Sequence, residues 1–314
     1  GQYLGERFKR LMIPLLAGIF ILVPVQVYIE KSTQYDSLLS YFPHMFEGIY
    51  PTGNFSWHHL WFIVYLFFIS LVISPFVKSF RRNGFERFSN KLARFASVPL
   101  SLNIILIPLY VSQVLLRPYF PENTHALVND WAAMAYYIIF FLCGILLLSN
   151  PKISDSIRDQ RYWYLVEGIL ATLVMFVVTE LITDESLSRS IWRISSHLLA
   201  WSCGLAAIGF AKKYLNRNSK LRKLANQAIY PFYLLHQPVI IVIGYYVVRW
   251  NISVWPKVLI IMISSFLISV SIYWFLVRRL NITRVIFGMK TLPKKSQVEK
   301  APEMVLVPVR SFLP

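Results

Sequence analysis

Acidic residues are scarce in this chain. It has 15 Asp+Glu against 32 Lys+Arg over 314 residues, for a net charge of +17. Charge of either sign is also sparse, at 15 % of residues, where an average soluble domain carries roughly 25 %. That shortage excludes a soluble protein, whose surface has to be mostly wet. Cysteine is nearly absent: Cys143 and Cys203 both sit in long apolar runs, which excludes a disulfide scaffold. The sequence lacks a Gly-x-Ser-x-Gly elbow, a nucleotide-binding glycine loop and a second domain with its own composition. It also lacks period-two alternation in its apolar runs, which argues against a transmembrane barrel.

What is present is apolar. Hydrophobic residues make up 56 %, too many for a disordered chain. A membrane-spanning helix takes about 20 residues with few charges. Seven uncharged runs meet that need: 11–29, 55–77, 95–116, 131–151, 194–211, 224–248 and 258–277. An eighth, 162–183, carries Glu167 and Glu180 near its ends. The expected fold is all-α, a polytopic bundle of eight transmembrane helices over residues 1–280. Residues 281–314 are expected to be a basic cytoplasmic tail without fixed structure. Prolines within the runs, among them Pro231 and Pro238, are tolerated as kinks in a membrane bundle.

Lys and Arg fall on alternate connections. Counting from the N-terminus, 26 of the 32 lie before the first run, after every second run and in the tail. By the positive-inside rule both termini are cytoplasmic. The positive charge is thereby a topology signal, and no nucleic-acid partner is needed to explain it. The longest outer connection, 30–54, is aromatic and bears Pro and Gly, so it is expected to pack as a cap.

The six histidines fall in the outer half or the middle of this map. His44 and His125 read as solvated loop residues. His58 and His59 open the second run beside Trp57 and Trp61, and suit either interfacial anchoring or chemistry. His236 sits midway along its run, where an ionisable group is costly and points to function; a buried histidine bonded to a neighbouring helix is the other reading. No metal-ligand set stands out, since adjacent residues such as His58 and His59 do not face one site on a helix. At the inner end, Arg7 and Arg10 are three residues apart and share one side of a helical turn. Two guanidinium forks there suit phosphate groups, or simply flank the membrane. Glu167 either snorkels or pairs with an arginine.

Three stretches together resemble the acyltransferase-3 family of integral membrane acyltransferases. Arg7-Phe-Lys-Arg10 is similar to its Arg-x-x-Arg, and His59-Leu-Trp61-Phe-Ile to its His-Leu-Trp-Phe-Leu. Tyr230-Pro231-Phe-Tyr233-Leu-Leu-His236-Gln-Pro238 is similar to its Tyr-Pro-x-Tyr-Leu-Leu-His-x-Pro. The long outer loop most resembles the branch that succinylates periplasmic glucans. The resemblance implies an acyltransferase in the bacterial inner membrane with acyl-CoA as co-substrate and no bound cofactor. The acyl group would go to a carbohydrate or glucan hydroxyl at or beyond the outer face. It implies that Arg7 and Arg10 hold the CoA phosphates, that His236 and His59 are candidate catalytic residues, and that Trp61, Tyr230 and Tyr233 line the substrate cavity. The family has about ten transmembrane helices, and its first carries a basic residue eleven positions before a histidine. No histidine here has Lys or Arg eleven residues earlier, so a chain truncated before its third family helix, and inactive alone, is expected. A transporter or flippase for a polar or lipid-linked solute is the alternative, weakened by the lack of an internal repeat. A membrane scaffold is a third reading.

Overall fold

A computed structural model describes residues 2–120, 124 and 126–292. It is 78 % helical, with no strands among the described residues. In chain order the long elements are α1 (Gly5–Glu30), α2 (His58–Phe76), α3 (Asn83–Phe95), α4 (Ser101–Leu116), α5 (Trp131–Leu148), α6 (Pro151–Asp159), α7 (Arg161–Leu181), α8 (Glu185–Leu215), α9 (Lys220–Val247), α10 (Val254–Val277) and α11 (Asn281–Ile286). Seven of these, α1, α2, α5, α7, α8, α9 and α10, are long and apolar enough to cross a membrane. The fold is an all-α polytopic membrane bundle.

The run expected from residue 95 is shorter than its composition suggested. Phe95 ends α3, and a turn follows in which Leu100 takes a left-handed φ of 58°. Gln160 holds this turn from both sides: Leu100 N donates to its Oε1 (3.1 Å), and its Nε2 donates to Ala96 O (2.7 Å). The helix restarts at Ser101 as a 3-10 stretch to Ile105 before becoming α-helical. The higher rise of a 3-10 helix brings α4 to roughly 27 Å, close to the hydrocarbon thickness. Helix α3, read in sequence only as a basic connection, exposes Arg87, Lys91 and Arg94 and buries Ser89 and Ala93. That is the pattern of a helix lying at the membrane surface.

The chain divides into two compact units. The first joins Gly1–Ser74 to Lys220–Pro314. Its core runs along α1 through Leu11, Leu15, Ile19, Val23 and Val27, with Leu60 and Ile63 of α2 and Leu234 of α9. These α1 positions recur every four residues. In a regular α-helix a four-residue step drifts about 40° around the axis. Two π-helical stretches, Phe8–Met12 and Gly18–Leu22, wind more slowly and keep the stripe on one side.

The loop after α1 packs as a cap, burying Tyr41 and Met45 in the same core. Lys31 Nζ donates to Gly53 O (2.7 Å) and Asn54 Oδ1 (2.9 Å), and Asn54 Nδ2 donates to Tyr35 Oη (2.8 Å) and His44 O (2.9 Å). Burial pushes the Tyr41 hydroxyl up to about 12, so it stays a donor, to Asn54 O. His44 is half-buried and pairs with Glu47 at 2.7 Å; His125 lies outside the described residues.

The second unit is Pro75–Ser219. Its tightest pairing is α7 on α8, and α6 crosses α8 at Gly209, where an added Cβ would meet Ile157 O at 2.7 Å. Asp130, fully buried, caps α5 by accepting from Ala133 N (2.8 Å) and pairs with Arg117 at 3.2 Å. Glu167 pairs with no arginine among the described residues: it accepts from Ser202 Oγ at 2.7 Å and from Asn103 Nδ2.

The segment after α10 differs from the tail expected of the sequence. Residues 281–286 form α11, which packs against α1 and buries Arg284. Arg284 Nε donates to Lys290 O (2.7 Å) and its Nη1 to Arg278 O (3.1 Å), which folds 287–290 back over the helix. Residues 293–314 lie outside the described residues.

Candidate functional site

The two candidate histidines meet in the first unit, their ring centroids 5.7 Å apart and perpendicular. Sequence chemistry brings them there. Pro238 has no N–H to give the Leu234 carbonyl four residues back, so that carbonyl is left open on the side of α9. His59, at the start of α2, fills the vacancy with its Nε2 at 3.1 Å. A carbonyl can only accept, so Nε2 carries the proton and Nδ1 the lone pair. The Gln26 amide on α1 lies 3.3 Å from that Nδ1 and donates to it. Both nitrogens of His59 are thereby engaged, and the ring ties α1, α2 and α9 together.

His236 is placed differently. Its Nδ1 donates to Tyr233 O, one turn back on the same helix, at 2.6 Å. This fixes the tautomer with the lone pair on Nε2. Among the described residues that nitrogen has no hydrogen-bond partner, and the ring is only half-buried. Phe232 stacks on it, nearly parallel at 6.0 Å, and Tyr233 tilts against it at 5.7 Å. Tyr233 is held by donating its hydroxyl to His59 O. The arrangement offers one basic nitrogen, oriented from behind by a backbone carbonyl and walled by aromatic rings.

The other expected site residues are spread along the unit. Trp61, two residues after His59, packs edge-on against Phe62 (6.2 Å) and Tyr65 (5.8 Å). Tyr230 lies toward the Arg10 end of α9, and its buried hydroxyl has no hydrogen-bond partner among the described residues. Its ring abuts Gly288, where an added Cβ would come within 2.5 Å of the ring and 3.0 Å of Arg10 O. Arg7 is half-buried, and Arg10 is exposed within the π-helical stretch Phe8–Met12. That stretch winds more slowly than an α-helix, so the angle between Arg7 and Arg10 around the axis is wider than a regular turn would give. No group of three His, Cys, Asp or Glu able to hold a metal occurs among the described residues.

Sequence reasoning overlooked Gln26, although an amide inside an otherwise apolar run was the available signal. It also missed an open cleft of about 400 Å³ lined by Trp274, Arg278, Arg279 and Leu292 at the end of α10.

The acyltransferase-3 family, described as an acyltransferase domain, matches residues 1–274. Neither a curated protein nor a solved structure gives a significant match. The family match takes in Arg7, Arg10, His59 and His236 and nearly nine-tenths of the chain. On that match, together with the seven long apolar helices among the described residues, the chain belongs to the acyltransferase-3 family and is a membrane acyltransferase.

Proposed function

We propose that the protein is an O-acyltransferase of the bacterial inner membrane, with both termini cytoplasmic. It moves an acyl group from cytoplasmic acyl-CoA to a carbohydrate or glucan hydroxyl at or beyond the outer face. The observation that carries this reading is the Nε2 of His236, without a hydrogen-bond partner among the described residues and oriented by the Nδ1 bond to the Tyr233 carbonyl. Acyl transfer to a hydroxyl requires a base within hydrogen-bond reach of the hydroxyl proton. The acceptor oxygen attacks the thioester carbonyl while Nε2 takes its proton. The C–S bond then breaks, the proton passes to the departing sulfur, and the products are the ester and free CoA thiol. The resulting imidazolium is stabilised by the Tyr233 carbonyl at its other nitrogen, as an orienting acceptor stabilises a catalytic histidine. Trp61, Tyr230 and Tyr233 are proposed to border the acceptor route, and Arg7 and Arg10 to receive the CoA phosphates.

The test uses membranes from cells that express the protein from its own gene. Acyl-CoA labelled in the acyl group is supplied on the cytoplasmic side, and label is followed into extracted carbohydrate. The expected result is label in alkali-labile ester linkage to sugar, lost in the His236→Gln variant. Label-free carbohydrate in membranes that contain the folded protein would overturn the proposal.

A further inference from the structure

We propose that the cleft at the end of α10 is a binding site for the phosphate of an anionic phospholipid headgroup, separate from the groups assigned to acyl-CoA. Its polar walls are two arginines that each fold back onto the aromatic ring one helical turn earlier. The Arg278 guanidinium carbon lies 4.5 Å from the Trp274 ring centroid, and that of Arg279 lies 5.6 Å from that of Phe275. A guanidinium resting on an aromatic face keeps its N–H edge free for a planar, bidentate acceptor. Among the described residues no carboxylate pairs with either side chain.

A third cation deepens the imbalance. Arg284 is 8 % exposed. Its hydrogen-bond partners are the carbonyls of Lys290 and Arg278, which carry no charge, and among the described residues no carboxylate pairs with it. A buried charge without a counter-charge is costly. An anion in the adjoining cleft supplies that counter-charge. Phosphate is the anion whose geometry matches paired arginine forks.

The surroundings of the cleft choose the source of the phosphate. Leu292 and Trp274 form its apolar walls. Beside it Phe275, Leu276, Leu280 and Ile282 are exposed on α10 and the segment that follows. These side chains border the end of a membrane-spanning helix, at the depth where tryptophan and headgroups gather. A lipid presents both a phosphodiester for the arginines and acyl chains for this face. A free phosphate or a nucleotide would leave the apolar side unused.

The experiment reconstitutes the whole protein with equimolar phosphatidylglycerol and phosphatidylcholine and reads retained lipid by native mass spectrometry. Wild-type protein is expected to retain phosphatidylglycerol in preference. The Arg278→Gln/Arg279→Gln pair should lower that retention roughly tenfold, and Arg87→Gln/Lys91→Gln, which removes two exposed cations of α3, should leave it unchanged. Arg278→Lys/Arg279→Lys, which keeps charge and guards against a folding defect, should retain an intermediate amount because ammonium groups lack the fork. Equal retention of the two lipids, or full retention by the lysine pair, would overturn the site. So would displacement of the lipid by coenzyme A together with loss of coenzyme A binding in the Gln pair, since the phosphate would then be the co-substrate's. Failure of acyl transfer has no bearing on these readouts, so the two proposals stand or fall separately.

Discussion

His59 Nε2 donates to the Leu234 carbonyl at 3.1 Å, across 175 residues of sequence, because Pro238 leaves that carbonyl without its helical donor. The bond therefore depends on a proline that forms no hydrogen bond itself. His59→Phe should destabilise the protein by about 1–3 kcal/mol, since it strands the Leu234 carbonyl and the Gln26 amide. In a Pro238→Ala background the penalty should shrink, because the backbone N–H restored at position 238 gives Leu234 O a new donor. Denaturant unfolding of the four proteins in a double-mutant cycle reads the coupling. Strictly additive losses would show that the two residues do not share the carbonyl.

His236 calls for the opposite signature. Its His236→Gln variant keeps an amide donor for Tyr233 O but has no basic nitrogen. The expected outcome is a loss of acyl transfer of about 10²–10⁴-fold, with the unfolding midpoint near wild type. His59→Gln should move stability at least as much as rate. Wild-type rates in His236→Gln would remove the residue from the chemistry.

The bundle was legible in the sequence because twenty-residue apolar runs have few alternatives. Its interruptions were less so. The break before α4 turns on the Leu100 backbone and on Gln160, a side chain 60 residues away in sequence, so no local pattern announces it. The tail looked structureless because it is polar and basic, yet Arg284 binds backbone carbonyls and orders residues 281–290. At the candidate site, the motif pointed to both histidines but could not separate them. Their difference lies in which nitrogen meets which carbonyl, and that is a property of three helices together. The spacing of Arg7 and Arg10 was read on an α-helix, and the π-helical stretch alters it.

Arg7 and Arg10 should respond unequally. Arg10 is exposed, so Arg10→Gln is expected to weaken acyl-CoA binding without changing stability. Arg7 is half-buried, and Arg7→Gln is expected to lower both. Lysine at both positions should restore binding only in part, because it lacks the bidentate fork. Calorimetric titration with acyl-CoA checks each variant. Unchanged affinity in the double Gln protein would leave the pair as membrane flanks.

Gly288 joins the C-terminal segment to α1 and α9. Its φ is +69°, and an added Cβ would overlap the Tyr230 ring and approach Arg10 O. Gly288→Ala should therefore cost more than about 1 kcal/mol. Because the contact lies on the segment that carries Arg284, protease cleavage after Lys290 should accelerate along with the loss of stability. A Gly288→Ala protein as stable and as resistant as wild type would show that the segment does not rest on Tyr230.

The last prediction concerns which end of the bundle faces the cytoplasm. In the first unit α11 lies against α1, and Gly288 reaches the Arg10 carbonyl, so the start of α1 and the end of α10 share one end. That end holds Arg7, Lys9 and Arg10 together with Arg278, Arg279 and Arg284. The opposite ends of the same helices, at Glu30 and Val254, adjoin the cap and the short connection 248–253. Lys and Arg near helix ends set orientation because basic loops resist translocation. The basic end is therefore expected in the cytoplasm. Reporters fused at Asn251 and Thr183, both in connections between long helices, should signal from outside, and one at Arg217, between α8 and α9, from inside. A cytoplasmic signal at Asn251, or an external one at Arg217, would invert the map. Arg7 and Arg10 would then lie across the membrane from acyl-CoA, and their proposed role would fail with it.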